Sequence, residues 1–181
     1  MIGALVSGKG TNLQALLDAG LPVAAVASNV QGVPALRRAA AAGVPTRVFP
    51  LEDYPSRVAR DRAMADWLES HGVTLVVCAG YMHLLTPEFL ARFRAINVHP
   101  SLLPCFPGTH AVEDALAAGV AETGVTVHFV DEGVDTGSVI AQERVAVLPD
   151  DTVETLRVRI QAVEHRLLPE IARLCLTDGL G

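Results

Sequence analysis

Short apolar runs alternating with helix-period segments constrain this chain more than any other feature. IGALV (2–6) gives way to TNLQALLDAG, PVAAVAS (22–28) to PALRRAAAAG, and TRVFP (46–50) to a longer helical stretch. TLVVCAG (74–80) leads into another short helix, and AINVH (95–99) follows it. A strand–helix–strand succession builds a parallel sheet whose crossovers cover both faces. Strands buried on both sides have no wet face to alternate toward, and these do read as nearly unbroken apolar runs. The expected fold is therefore α/β: a single domain with a mostly parallel, twisted sheet and helices on both faces. At 181 residues the chain suits one such domain, with roughly 70% of its unfolded surface available for burial.

The spacing predicts a helix over about 55–70: Pro55 suits a first turn, Met64, Trp67 and Leu68 share a face, and Gly72 stops it. After residue 120 the order changes. TGVTVHFV and SVIAQERVAV read as two consecutive strands joined by the loop DEGVDTG. The last helix is expected from Asp151, with Glu154 three residues on in a capping-box-like start. Its apolar stripe runs through Leu156, Ile160, Val163, Leu167, Ile171 and Leu174. Pro169 should bend it, because the bond to the His165 carbonyl is lost.

Composition narrows the chemistry. No apolar run approaches the ~18 residues of a membrane span. MIGALVSGKG lacks the charged start and long apolar stretch of a secretion signal. Cys78, Cys105 and Cys175 form no closely spaced even set, as expected of a reduced, cytoplasmic protein. The net charge of −6 and a single lysine, Lys9, leave no basic stripe for DNA or RNA. Small anions stay open as ligands, because backbone N–H groups bind phosphate without net positive charge. A monomer and a homodimer are both compatible with the sequence.

VSGKGTNLQ leaves the first strand and opens the first helix. Gly8 and Gly10 permit a tight turn, and the N–H groups of Gly10, Thr11 and Asn12 would form a phosphate site by geometry and dipole. The stretch matches neither a Walker A loop nor the dinucleotide glycine pattern, since position 13 is Leu. The plainer alternative is a glycine turn capped by Thr11 or Asn12. AGYMHLLTPEFL leaves the fourth strand, so Met82, His83, Leu84 and Leu85 could line a pocket beyond the strand ends. They could equally lead into an ordinary helix capped by Thr86 with Pro87 first.

In INVHPSLLPCFPGTH, Asn97 and His99 are two apart and so face the same way on an extended strand. Pro100, Pro104, Pro107 and Gly108 keep the following loop out of helix. An amide and an imidazole held side by side can donate to an oxygen that gains charge, and the imidazole can move a proton near neutral pH. Metal ligation by His99, Cys105 and His110 lacks a recognised spacing, and Cys105 as a nucleophile lacks an evident base. A purely structural role is the default for any one of these residues. In DEGVDTG, Asp131 and Glu132 read as solvated loop carboxylates. Asp135 could fold back over the strand ends and favour the charged form of His99. Glu164, in QAVEH, has a surface carboxylate as its alternative.

Together and in this order, SGKGTNLQ, AGYMHLLTPEF, INVHPSLLPCFPGTHAVEDAL, GVTVHFVDEGVDTGSVI and VEH resemble the phosphoribosylglycinamide formyltransferases, folate-dependent enzymes of purine synthesis. The resemblance covers nearly the whole chain. NVHPSLLP with GVTVHFVDEGVDTGSVI is specific to folate-dependent formyl transfer, and SGKGTNLQ with PGTH points to the glycinamide branch. The family fold this implies is the Rossmann-like formyltransferase fold, one domain over 1–181. Residues 1–95 would be its phosphate-binding half and 96–181 its catalytic and folate-binding half. The resemblance implies Asn97, His99 and Asp135 as the catalytic trio and Gly10, Thr11, Asn12 and Glu164 as substrate-binding residues. It implies Arg57, Met82, His83, Leu84, Leu85 and Asn97 as folate-binding. The co-substrate would be 10-formyltetrahydrofolate and the acceptor 5′-phosphoribosylglycinamide, with no metal, nucleic acid or membrane involved. His83 and Cys105 stand where bacterial relatives often carry Arg and Lys. The family's edge strand after the last helix is not expected here, because only LTDGLG follows that helix. Close alternatives are a formyltetrahydrofolate deformylase, with water as acceptor, and a methionyl-tRNA formyltransferase, which usually carries an added RNA-binding domain. A non-catalytic nucleotide-binding paralogue is the alternative from another class.

Overall fold

The computed structural model describes residues 1–177. Five strands run parallel: β1 (Ile2–Val6), β2 (Val23–Ser28), β3 (Thr46–Val48), β4 (Leu75–Cys78) and β5 (Arg94–His99). Two more, β6 (Glu122–Phe129) and β7 (Val139–Ala146), are added antiparallel beside β5. All seven form one sheet in the order β3-β2-β1-β4-β5-β6-β7. Helices α1 (Thr11–Asp18), α5 (Ala111–Ala117) and α6 (Val153–Thr177) pack with Ile2, Val77 and Ile96 on one face. On the other face α3 (Arg57–Ser70) and α4 (Pro87–Leu90) pack with Leu5, Val76 and Ala95. A third cluster joins α2 (Pro34–Ala41) to Ala4, Val6 and Leu13. Every residue of β1 and β4 is buried, which is why those runs carry no polar alternation. Full burial of each Leu or Ile there contributes about 1.5–3 kcal/mol.

Strand order reverses between β1 and β4, because the chain winds outward through β2 and β3 and returns on the other side of β1. At such a point the loops at the carboxyl ends diverge and leave a crevice. Its floor is tied across by the Ser7 N–H, which donates to the Gly80 carbonyl at 3.0 Å.

Several local expectations shift. α3 begins at Arg57, leaving Pro55 outside, because Ser56 Oγ accepts from the Ala59 N–H at 3.1 Å and sets the start. α6 begins at Val153, and Thr152 caps it in place of Asp151. Thr152 Oγ1 accepts from the Thr155 N–H at 3.2 Å, while the Thr152 N–H donates to Thr155 Oγ1 at 2.9 Å. Thr155 thus closes the capping box instead of Glu154. Asp151 is engaged by Arg159 and by the Leu148 N–H, and these hold its carboxyl below the usual carboxylate range. Pro169 is buried inside α6, which continues past it to Thr177. Leu174 is exposed, and Cys175 takes the buried face of that turn. Thr86 precedes α4 without a side-chain cap bond. α5 is a helix the sequence reading does not place. The last four residues of LTDGLG lie outside the described residues.

Candidate active site

The end of β5 presents Asn97 and His99 two residues apart, on the same face as Ala95. Against them folds the loop between β6 and β7. Asp131 is exposed, as expected of a solvated loop carboxylate, and it also organises that loop: its Oδ1 accepts from the Gly133 N–H at 3.0 Å and from Thr136 Oγ1 at 2.6 Å. Gly137 allows closure, since a Cβ there would lie 1.8 Å from the Phe129 carbonyl oxygen. Asp135 is held with φ of 54°, a left-handed conformation that a non-glycine residue keeps only when its surroundings impose it.

That conformation delivers the carboxylate to β5. Asp135 Oδ2 lies 3.3 Å from His99 Nδ1 and accepts from the Gly108 N–H at 2.8 Å. Oδ1 accepts from Asn97 Nδ2 at 3.4 Å. The expected trio therefore converges. His99 is buried, and its Nε2 lies 2.7 Å from the Phe106 carbonyl, which can only accept. Phe106 itself has φ of 52°. Burial alone would raise the Asp135 pKa. The His128 hydrogen bond, the Gly108 N–H and the charges of both imidazoles outweigh it and hold the carboxyl below the usual aspartate range.

His128 is a site residue that the sequence reading missed. β6 places it directly opposite Asn97, and the Asn97 amide nitrogen lies 3.2 Å from its Nε2. Its Nδ1 lies 2.7 Å from the Phe129 carbonyl, which can only accept, so Nδ1 carries a proton, and its Nε2 also lies 3.6 Å from Asp135 Oδ1. The available signal was His128 as the sole imidazole in TGVTVHFV, but its pairing with Asn97 depends on strand register. The Phe106 carbonyl had no signal at all, since any residue type supplies one.

The trio lines a cavity of about 390 Å³ that also reaches Met82, Leu85, Asn12 and Glu164. His83 and Leu84 complete that wall. Met82 and Leu84 are exposed at it, whereas Leu85 is buried. Glu164 is 6% exposed, and burial raises its carboxyl to about 7, against the Asn12 hydrogen bond and the Arg157 charge. Asn12 Oδ1 is buried without a partner among the described residues. Gly10 forms the turn before α1 and Asn12 faces the cavity, while Thr11 faces a larger, shallower groove of about 760 Å³ between α1 and α6. That groove holds none of the trio. Neither Thr11 nor Asn12 is the cap residue of α1; Gly10 occupies that position without a side-chain bond. Arg57 is not brought to the cavity wall, because it stands on the exposed first turn of α3, where its charge reaches His83. No group of three or more His, Cys, Asp or Glu among the described residues could hold a metal ion.

Gly10 has φ of 74°, and a Cβ on it would meet Ala35 Cβ at 2.6 Å and Ala35 Cα at 2.7 Å. Gly10→Ala should therefore destabilise the fold by ~1–3 kcal/mol, from overpacking against backbone in a strained conformation. Thermal denaturation checks it; an unchanged midpoint would mean α2 moves away freely.

The formyl transferase family pattern matches residues 2–172. The chain is 48% identical over 182 residues to a phosphoribosylglycinamide formyltransferase from Mycobacterium tuberculosis, covering 97% of this chain and 85% of that protein. It is 44% identical over 189 residues to the trifunctional purine biosynthetic protein adenosine-3 of Drosophila pseudoobscura pseudoobscura, covering 99% of this chain but spanning only 14% of that protein's length. In structure it superposes on glycinamide ribonucleotide transformylase 1 from Symbiobacterium toebii with a TM-score of 0.93 at 50% identity, covering 96% of this chain and 85% of that one.

Proposed function

The chain belongs to the formyl transferase family, and from that membership we infer that it transfers a formyl group from 10-formyltetrahydrofolate to the amine of 5′-phosphoribosylglycinamide, a step of purine synthesis. The observation that carries the assignment is the meeting of Asn97, His99 and Asp135 on one cavity wall, with Asp135 3.3 Å from His99.

The acceptor amine, uncharged, attacks the formyl carbon and the carbonyl oxygen gains charge. The bond from that carbon to the donor nitrogen then breaks, and a proton passes from the incoming nitrogen to the departing one. Asn97 supplies an N–H to the charged oxygen; its present contacts of 3.2 and 3.4 Å are long, so re-aiming it costs little. His99 donates from Nε2 once the Phe106 carbonyl releases it. Asp135, ionised at neutral pH, stabilises the positive ring and orders the water that relays the proton. One fixed donor to such an oxygen is typically worth about 10²–10³ in rate. None of these steps uses a metal.

The start of α1, with Gly10, Thr11 and Asn12, takes the acceptor's phosphate, and Glu164 with Asn12 Oδ1 receives its N–H and hydroxyl donors. Met82, His83, Leu84, Leu85 and Asn97 face the folate, and Arg57 serves its outer, anionic end. Both halves then contribute: 1–95 supplies the phosphate loop and most of the folate-facing residues, and 96–181 supplies the trio and Glu164. Small molecules rather than nucleic acids are its partners, consistent with the net charge of −6, and it works as a monomer or homodimer. Cys78, Cys105 and Cys175 are free thiols, which suits the cytoplasm. No helix among the described residues is long and apolar enough to cross a membrane.

A formyl-transfer assay with phosphoribosylglycinamide, water and tRNA as competing acceptors tests this function. Formylated ribonucleotide is expected. Formate released without it would indicate a deformylase, and ribonucleotide binding without turnover a non-catalytic paralogue.

A further inference from the structure

Residues 82–86 form one side of the cavity, and side chains from the ends of β1 and β2 and from α3 fasten them. The Met82 N–H donates to Ser7 Oγ at 2.9 Å, and the Thr86 N–H donates to Asp61 Oδ2 at 2.8 Å. Between these two ties the His83 ring is held at both nitrogens. Arg60 Nη1 lies 2.6 Å from Nδ1, and the Asn29 amide lies 3.2 Å from Nε2. The same amide lies 2.5 Å from Ser7 Oγ. Arg60 and Asp61 are fully buried and paired at 2.6 Å. None of these side chains engages Leu84 or Leu85, whose main chain is suspended between the ties.

Hydrogen counting fixes the directions. A guanidinium only donates, so His83 Nδ1 accepts and the ring's proton lies on Nε2. Nε2 faces the Asn29 amide, whose carbonyl oxygen accepts from the Ser7 hydroxyl, and Ser7 Oγ in turn accepts from the Met82 N–H. A second proton on the ring would face the guanidinium N–H. Burial first, then the Arg60 charge, hold His83 below the usual histidine range, with Asp61 opposing and Arg57 adding. Ser7, Asn29, His83, Arg60 and Asp61 thus form one continuous line of side chains behind residues 82–86.

We propose that Asn29 and Arg60 are positioning residues for the formyl donor, acting through His83 to set the main chain of residues 82–86. This rests on the function assigned above. Because one uncharged hydrogen bond is at stake, Asn29→Ala should raise the KM for 10-formyltetrahydrofolate about tenfold. kcat and the KM for the ribonucleotide should stay within about twofold. Asn29→Asp keeps an acceptor for the Ser7 hydroxyl and offers a carboxylate oxygen to His83 Nε2, and should restore the donor KM. Ser7→Ala cuts the chain from its other end and should reproduce the Asn29→Ala effect, which covers the case of an unstable Asn29 variant. Calorimetric titration with tetrahydrofolate should show the same ordering of affinities. An unchanged donor KM in an active Asn29→Ala protein, or a loss confined to kcat, overturns the positioning role alone. A wild-type protein that neither transfers formyl nor binds folate overturns the assigned function, and this role with it.

Discussion

Replacing His99 with alanine should lower turnover about 10²–10⁴-fold, the usual worth of positioned acid–base assistance, while leaving the KM of both substrates nearly unchanged. The split follows from where the ring is needed. In the resting site its nitrogens are engaged by the Phe106 carbonyl at 2.7 Å and by Asp135 at 3.3 Å. Neither is committed to holding a ground-state substrate; the ring acts when the carbonyl oxygen acquires charge. His99 is 4% exposed, so alanine also leaves a void and strips Asp135 of a partner, a stability loss on the order of 1–3 kcal/mol. Kinetics should therefore be read well below the variant's melting midpoint. Turnover within tenfold of the wild type would remove His99 from the chemistry.

Asp135→Asn should lower turnover roughly 10²-fold and alter the pH–rate profile of formyl transfer. Asparagine keeps the shape and can still accept from the Gly108 N–H, whose bond to Asp135 is 2.8 Å. It loses the negative charge 3.3 Å from the His99 ring, and with it the partner that stabilises positive charge there. Stability is linked to the same carboxyl. The Asp135 carboxyl is held below its ordinary range, so its contribution is complete above that range and is lost as acid protonates it. The wild-type protein should accordingly lose more stability on acidification than Asp135→Asn, as acid denaturation of the pair would show. A pH profile identical in the two proteins would mean that the carboxylate does not act through the imidazole.

Much of the scaffold was legible because its signals are local. The runs IGALV and TLVVCAG are buried on both faces, and their unbroken apolarity announced as much. The two-residue step from Asn97 to His99 on a strand required only that the strand exist. Helix starts were less legible: Ser56 and Thr152 took the caps expected near Pro55 and Asp151, because several nearby polar residues compete and the winner is set by chain direction into each helix. His128 entered the site through antiparallel register with Asn97, and a one-residue slip would have turned it to the other face.

What the sequence determined by itself, then, was the kind of sheet, the side-chain chemistry at the end of its fifth strand, and the glycines where the backbone must turn. Only the tertiary structure decided which acid meets that imidazole, which carbonyl occupies its other nitrogen, and that Arg60 and Asp61 are buried behind the 82–86 segment. The physical reason is range. Strand and helix periodicities are written over a few residues, whereas Asp135 reaches His99 across 36 positions only because the loop before β7 is bent back by a left-handed residue and closed at Gly137.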